Sequence, residues 1–450
     1  MAVYSQEVVE FSRFGKVTLY QSTPEPKHVV LFVSGDGGWN RGVIDMAKAV
    51  ASLDSLVAGI DIIHYLKQLQ NSKEKCSYPA ADFEALSKFI QKKKNFQNYI
   101  SPVLVGYSSG ATLVYATMVQ APPDTFAAAI SMGFCPDLPL KKPFCKGYGL
   151  EWGPGPKGKG YSFLPARGLK NPWIAFQGLV DKVCDPGSTE VFVKQVNNAE
   201  IVKLEKVGHG FGAQKNWMPQ FKNTSLDLFK KIKAETSYEP IPAEVSDLPL
   251  VEISPQQWKV DFLTVIISGD GGWAAIDRSI GEFLAQEGIG VVGVNALKYF
   301  WKRRTPDEAS LALSRILNHY LASWKKKKAL LIGYSLGADV LPFMINRLKV
   351  EEQGVIGGIV LLGPSQTVDF EFHLTDWLGH TSGSSVPVRP EVEKLKGKRI
   401  LCFCGEDESD SLCHDLTPGL ARTVLLKGGH HFGGDYKGIV DIILKDLKDL

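Results

Sequence analysis

The stretch Leu331-Ile332-Gly333-Tyr334-Ser335-Leu336-Gly337-Ala338-Asp339 decides how this chain is read. It sets Gly-x-Ser-x-Gly between an apolar run, Ala329 to Ile332, and a helical pattern, Ala338 to Leu348. That context predicts a nucleophile elbow, a sharp strand-to-helix turn that holds a serine hydroxyl above a sheet edge. Side chains in place of the two glycines would meet the neighbouring strand and helix. The five-residue pattern alone is common, and the strand before it and helix after it give it content.

Working outward, the same marks occur twice and in the same order. Ser34-Gly35-Asp36-Gly37-Gly38-Trp39 returns as Ser268-Gly269-Asp270-Gly271-Gly272-Trp273, and Gly106 to Gly110 matches Gly333 to Gly337. Asp181-Lys182-Val183-Cys184 matches Asp410-Ser411-Leu412-Cys413, and Gly208 to Gly212 matches Gly429 to Gly433. Four motifs displaced by about 220–235 residues indicate a tandem repeat of one fold. A linker is expected at 238–247, where prolines and charge interrupt the periodicity, between domains at 1–237 and 248–450.

Each half alternates β-branched runs with amphipathic stretches. In the first, strands are expected near 56–61, 102–106, 126–131, 172–177 and 200–205, with helices over 42–52, 80–92, 109–120 and 187–198. In the second, strands are expected near 262–268, 290–294, 328–332, 355–362, 399–404 and 422–427. This alternation predicts an α/β class, a duplicated α/β-hydrolase-like domain with a mostly parallel sheet covered on both faces. Gly133 to Gly168 and Pro364 to Lys398 break the rhythm and are expected to be irregular cap or substrate loops.

Serine needs a base to take its proton, and the base needs an acid to fix its tautomer. The order Ser, acid, His predicts Ser108, Asp181 and His209 in the first half and Ser335, Asp410 and His430 in the second. The second acid is the least determined. Counting from the cysteine selects Asp410, counting from Gly405 selects Asp407 or Glu408, and His431 is an alternative base beside His430. Backbone amides of Asp36 and Ser109, and of Asp270 and Leu336, are the expected oxyanion donors. The Gly-Asp-Gly-Gly segments lack the Lys-Ser/Thr of a phosphate-binding P-loop. Trp39 and Trp273 are expected to be core, and Asp36 and Asp270 can serve simply as turn residues.

Length and composition bound the rest. At 450 residues, with 44% hydrophobic residues and a net charge of +3, the chain has ample core and too little basic excess to argue for nucleic acid. No apolar run approaches the ~18 residues of a membrane span. The basic runs Lys92 to Lys94 and Lys325 to Lys328 read as solvated helix ends or, more sharply, as contacts to anionic lipid headgroups. The start, Met1-Ala2-Val3-Tyr4, shows no export signal, which fits a cytoplasmic protein or a mature exported chain. Cys135 and Cys145 flank one loop, and Cys404 and Cys413 another. Such pairs suit loop disulfides in an oxidising compartment, while the odd total of seven suits free thiols equally. No histidine and cysteine spacing suggests a metal site, and no cofactor is expected. The acidic run Glu406 to Asp410, if it rims the pocket, would favour a cationic substrate.

Asn295 to Pro306, Gly333 to Phe343 and Gly429 to Tyr436 resemble the VirJ/AcvB family of bacterial virulence proteins, most strongly over residues 262–450. The two-domain layout resembles the AcvB-like members. The resemblance implies a periplasmic α/β-hydrolase that cleaves the aminoacyl ester of lysyl-phosphatidylglycerol, with Ser335 as nucleophile and an aminoacylated phospholipid at the membrane surface as substrate. The first half keeps its own Ser, Asp and His, so either half or both are expected to work. A different class of function, a non-catalytic periplasmic adaptor for secretion-system proteins or their cargo, would use the same fold for binding only.

Overall fold

The computed structural model describes residues 5–235, 244–372 and 385–446. Contacts divide the chain into two units, Met1–Asn95 with Ile100–Ser237, and Phe96–Tyr99 with Tyr238–Leu450. The short segment Phe96–Tyr99 falls in the second unit because Trp301 holds it: the indole Nε1 donates to Phe96 O at 2.9 Å and the ring lies 5.2 Å from Tyr99. Of the expected linker, 238–243 lies outside the described residues. Beyond it, Val245 is fully buried and Asp247 is ion-paired with Arg315.

The first unit is built on an eight-stranded sheet in the order Ser5–Phe11, Gly15–Gln21, Ser55–Ile60, His28–Val33, Val103–Tyr107, Ala128–Met132, Trp173–Gly178, Ala199–Leu204. The second unit has seven strands in the order Leu250–Ile253, Val291–Val294, Phe262–Ile267, Lys328–Tyr334, Ile356–Leu362, Ile400–Gly405, Arg422–Leu426. The last six strands of each order pair in parallel, and an antiparallel strand precedes them. The first unit adds one further antiparallel edge strand. Central strands buried on both faces must be apolar throughout, and Val29 to Val33, Leu263 to Ile267 and Ala329 to Ile332 are nearly all buried. The α/β class with mostly parallel sheets is thus the observed architecture, and both units share one strand order.

Several elements escaped the sequence reading. Helices Ile62–Gln70 and Met218–Glu235 were absent from it, and the helix expected at 187–198 runs only over Pro186–Val193. The insertion expected to be irregular in the first half instead carries a three-stranded antiparallel sheet, Asp137–Leu138, Tyr161–Phe163 and Trp152–Pro154. Two or three residues per strand are too few to show a period in sequence. In the second insertion, Thr367–Val368 pairs with Val386–Pro387, and 373–384 lies outside the described residues. The family-like segment Asn295 to Pro306 is a pair of helix starts. Asn295 accepts from Lys298 N, and Thr305 and Glu308 form a capping box with Pro306 in the first turn.

Candidate active site

Both Gly-x-Ser-x-Gly segments form elbows. Ser108 (φ 54°, ψ −123°) joins the strand Val103–Tyr107 to the helix Ser109–Gln120. Ser335 (φ 52°, ψ −120°) joins Lys328–Tyr334 to Leu336–Asn346. A non-glycine residue in this region costs about 1–3 kcal/mol and persists only where its surroundings over-determine it. Here they do. A Cβ on Gly337 would lie 2.0 Å from Ile267 O, and one on Gly110 2.4 Å from Ser34 O, so only glycine lets helix and strand approach. The serine amides are held by the next strand, Ser108 N donating to Met132 O and Ser335 N to Leu362 O, both at 2.8 Å.

In the first unit the structure brings Ser108, Asp181 and His209 together. Ser108 Oγ lies 2.9 Å from His209 Nε2, and His209 Nδ1 lies 2.9 Å from Asp181 Oδ2. With its proton on Nδ1, the imidazole donates to the carboxylate and leaves Nε2 to accept from the serine, the tautomer a general base requires. Asp181 is itself fixed: Val183 N and Cys184 N donate to its Oδ1 at 2.8 and 2.9 Å. The His209 ring rests against Gly133 (φ 65°), where a Cβ would sit 3.3 Å from it. Asp36 and Ser109 meet at the same place, Ser109 Oγ donating to Asp36 Oδ1 at 2.6 Å.

The second unit repeats this frame with one correction. His430 Nδ1 pairs with Glu408 Oε1 at 2.5 Å, so the carboxylate at the histidine is Glu408, not Asp410. Gly178 and Gly405 end equivalent strands, and Asp181 and Glu408 each follow by three residues, Asp181 N donating to Gly178 O and Glu408 N to Gly405 O. Cysteine was the wrong landmark because the two cysteines do different work. Cys184 bridges to Cys135, whereas Cys413 bridges back to Cys402 within the same strand-loop segment. The extra methylene of glutamate lets the loop anchor its other oxygen on Gly405 N at 2.7 Å while Oε1 reaches His430. Asp407 and Asp410 are exposed.

His430, not His431, faces Glu408. His431 Nδ1 lies 3.1 Å from the Tyr334 hydroxyl, and burial, with His430 beside it, pushes its pKa down. The His430 ring packs on Gly363 (φ 60°), the counterpart of Gly133, at 2.8 Å from where a Cβ would be. Among the described residues no hydrogen bond joins Ser335 Oγ to His430, and the His430 side chain is 37% exposed against 17% for His209. Gly269 comes within 3.3 Å of Ser335 Cβ when given a Cβ, which brings Asp270 and Leu336 to the elbow as Asp36 and Ser109 are in the first unit. The amides of Ser109 and Leu336 open their helices and have no intrahelical acceptor, so they are available to an oxyanion.

Sequence reasoning missed the supports behind these sites. Trp39 and Trp273 pack against Gly59 and Gly293, each on a strand of the same unit, where a Cβ would fall 2.0 and 2.3 Å from the indole. A glycine at the same place in two matched strands was the available signal. It also missed Asp339, one helical turn beyond Ser335, whose Oδ1 accepts from Ser365 N at 2.6 Å. Burial pushes that carboxyl up to about 8. Thr112 takes the position in the first unit and donates to Cys135 O at 2.5 Å. Asp277 is a second buried acid, held well above its ordinary pKa by burial against the weaker pull of nearby amides.

The cysteine pairing also departs from expectation. Cys76 joins Cys145, Cys135 joins Cys184, Cys402 joins Cys413, and Cys404 is a buried thiol. Neither expected pair forms: Cys145 and Cys135 bridge to Cys76 and Cys184 across the fold, and Cys413 takes Cys402, two residues before Cys404 on the same strand. Asp181, Cys184 and His209 converge within 4.8 Å, but the Cys184 sulfur is committed to Cys135 and cannot serve as a thiolate ligand while bridged. The basic runs are engaged locally. Lys93 and Lys94 pair with Glu7, Lys327 pairs with Asp261, and Lys326 lies over Trp258. No helix among the described residues is long and apolar enough to cross a membrane.

A mostly parallel sheet, a strained serine at the strand-to-helix elbow and a histidine–carboxylate pair on the following loops define the α/β-hydrolase fold, present in both units. The chain belongs to the bacterial virulence protein (VirJ) family, whose family model matches residues 27–134 and 261–450. No curated protein matches it. Solved structures similar to it include the esterase domain of a Rhodothermus marinus protein (12% identity, 52% of this chain and 98% of that one, TM-score 0.34). A Thermogutta terrifontis esterase is similar at 18% identity over 52% of this chain and 94% of that one, with TM-score 0.35. An Anabaena variabilis dienelactone hydrolase is similar at 15% identity over 51% and 98%, with TM-score 0.35.

Proposed function

We propose that the protein is a serine esterase whose second unit cleaves the aminoacyl ester of lysyl-phosphatidylglycerol or a related aminoacylated lipid. The observation that carries this reading is Ser335, held at a strained elbow beside the His430–Glu408 pair and below an acidic loop. Glu406, Asp407 and Asp410 are exposed around Glu408, and Asp270 stands at the elbow, a setting that attracts an α- or ε-ammonium. Ser335 Oγ attacks the ester carbonyl carbon and its proton passes to His430 Nε2. Glu408 stabilises the imidazolium, and the amides of Asp270 and Leu336 receive the oxyanion. His430 then protonates the departing lipid hydroxyl, and water, deprotonated by His430, releases the amino acid from the serine. Ser335 and His430 close their hydrogen bond when substrate enters, as apo catalytic bonds commonly do.

Three disulfides support an oxidising compartment, and we assign the protein to the periplasm on that ground. There the reaction would return a cationic lipid to anionic phosphatidylglycerol and so contribute to membrane lipid homeostasis during virulence. The test is release of free lysine from vesicles containing lysyl-phosphatidylglycerol. Ser335→Ala should lower kcat on the order of 10⁴–10⁶-fold. Undiminished release by that variant would remove the activity from this site.

A further inference from the structure

We infer that the first unit is a second, separate esterase site, built on Ser108, and that it takes esters with an uncharged, apolar acyl group. It extends to Ser108 the chemistry proposed for Ser335, but its substrate class rests on the first unit's own residues. The acid loops of the two units follow one backbone path. Leu179 N donates to Leu204 O at 3.0 Å and Val180 N to Val207 O at 3.1 Å. At the same steps Glu406 N donates to Leu426 O at 2.8 Å and Asp407 N to Gly428 O at 3.1 Å. The side chains carried on that path are chemical opposites. Leu179, Val180 and Val183 are 44%, 56% and 68% exposed around Asp181, where the second loop exposes Glu406, Asp407 and Asp410 around Glu408.

Packing does not explain three exposed aliphatic side chains in five residues on a loop whose backbone is pinned. Each costs apolar area in water, about 25 cal/mol per Å² left uncovered. A substrate acyl chain lying across them would cover that area, whereas an ammonium group would find the nearby carboxylates already bonded, Asp181 by His209, Asp36 by the Ser109 hydroxyl and Asp185 by Ser188. Ser108 Oγ already bonds His209 Nε2, so this site is assembled before substrate arrives. The reaction is hydrolysis. Ser108 Oγ bonds the acyl carbon and its proton moves to His209. The alcohol leaves with that proton, and water then splits the acyl-serine, its hydrogen returning through His209 to Ser108.

The experiment uses the full chain with p-nitrophenyl hexanoate, p-nitrophenyl acetate and lysyl-phosphatidylglycerol vesicles. Ser108→Ala should lower hexanoate hydrolysis at least about 100-fold, and Ser335→Ala should lower lysine release, so each site fails on its own substrate. Leu179→Glu with Val180→Asp, which copies the second loop, should raise KM for hexanoate about tenfold relative to acetate with little change in kcat. Labelling of Ser108 by a fluorophosphonate certifies that this variant is folded, and Leu179→Ser with Val180→Ser replaces it if labelling fails. The inference is overturned if hexanoate hydrolysis survives Ser108→Ala, or if the hexanoate-to-acetate ratio is the same in the loop variants. Loss of lysine release in neither serine variant would instead overturn the reading of Ser335 and leave the Ser108 result standing.

Discussion

The two sites differ where sequence spacing made them look the same. In the first, serine, histidine and aspartate are joined end to end, a disulfide ties the acid loop to the loop after Gly133, and the rim is aliphatic. In the second, histidine and glutamate are paired while, among the described residues, no hydrogen bond joins the serine hydroxyl to that histidine, a second histidine is tied to Tyr334, and the rim is acidic. One backbone plan thus carries a serine already joined to its histidine under an aliphatic rim, and a more exposed histidine under an acidic one. The difference lies in side chains hung on equivalent positions: Thr112 against Asp339, Leu179 and Val180 against Glu406 and Asp407.

The identity of the second acid is the point where this comparison breaks most easily. Glu408→Gln keeps the shape but loses the charge that stabilises imidazolium, and kcat for lysine release should fall about 10³–10⁴-fold. Asp410→Asn, on an exposed residue that His430 does not touch, should change it only a few-fold. The reverse ranking would restore Asp410 as the acid.

A smaller effect tests the seat of each histidine. Gly363→Ala places a methyl 2.8 Å from the His430 ring at φ 60°, whereas Gly133→Ala places one at 3.3 Å from His209. Gly363→Ala should therefore lower second-site kcat by about one to two orders of magnitude, as misplacement of a catalytic group by 1 Å can. Gly133→Ala should cost less at the first site. Matched kinetics of the two variants would show that the seats are equivalent.

Reduction separates the sites further. Cys135–Cys184 joins the loop after Gly133 to the loop whose amides hold Asp181, so both walls of the first site share one bridge. Dithiothreitol, or Cys135→Ser with Cys184→Ser, should lower Ser108 turnover several-fold. The same treatment should move the second site less, because Cys402–Cys413 closes the acid loop only on its own strand and joins it to no second wall, and Glu408 is held within that loop by the Gly405 amide. Equal sensitivity would deny the bridge a positioning role.

The smallest effect concerns stability and pH. Asp339 keeps its proton up to about pH 8 in the folded chain, while the unfolded chain releases it near pH 4. Over that window the unfolded state binds fewer protons, so stability falls as pH rises, by a few kcal/mol at most. Asp339→Asn should flatten the fall in melting temperature of the second unit between pH 5 and 8. A slope unchanged by the substitution would place the proton elsewhere. Thr112 gives the first unit no such term.

Much of this was legible in the sequence because it is local or periodic. Gly-x-Ser-x-Gly between an apolar run and a helical pattern specifies the elbow, since any Cβ on residue 337 would fall 2.0 Å from Ile267 O. The repeat of four motifs in one order indicated two copies of a sheet, and His209 and Asp181 followed from chain order. Illegible were features that depend on what lies across the fold. Short strands in the insertion carry no period, and the partners of Cys76 and Cys135 are chosen by proximity between segments 49 to 69 residues apart. The second acid could not be counted because its loop is two residues longer between carboxylate and cysteine than the first.

The sequence by itself therefore determined the α/β fold, its repeated motifs, both serines and His209, while leaving His430 and His431 as alternatives, because turn geometry and hydrophobic period are written in neighbouring residues. Tertiary structure alone decided that Glu408 rather than Asp410 meets His430, that Ser108 is joined to its histidine while Ser335 is not, and that one rim is aliphatic and the other acidic. Those outcomes depend on distances of a few ångströms between loops far apart in the chain, set by side-chain length, glycine seats and disulfide ties rather than by any local pattern.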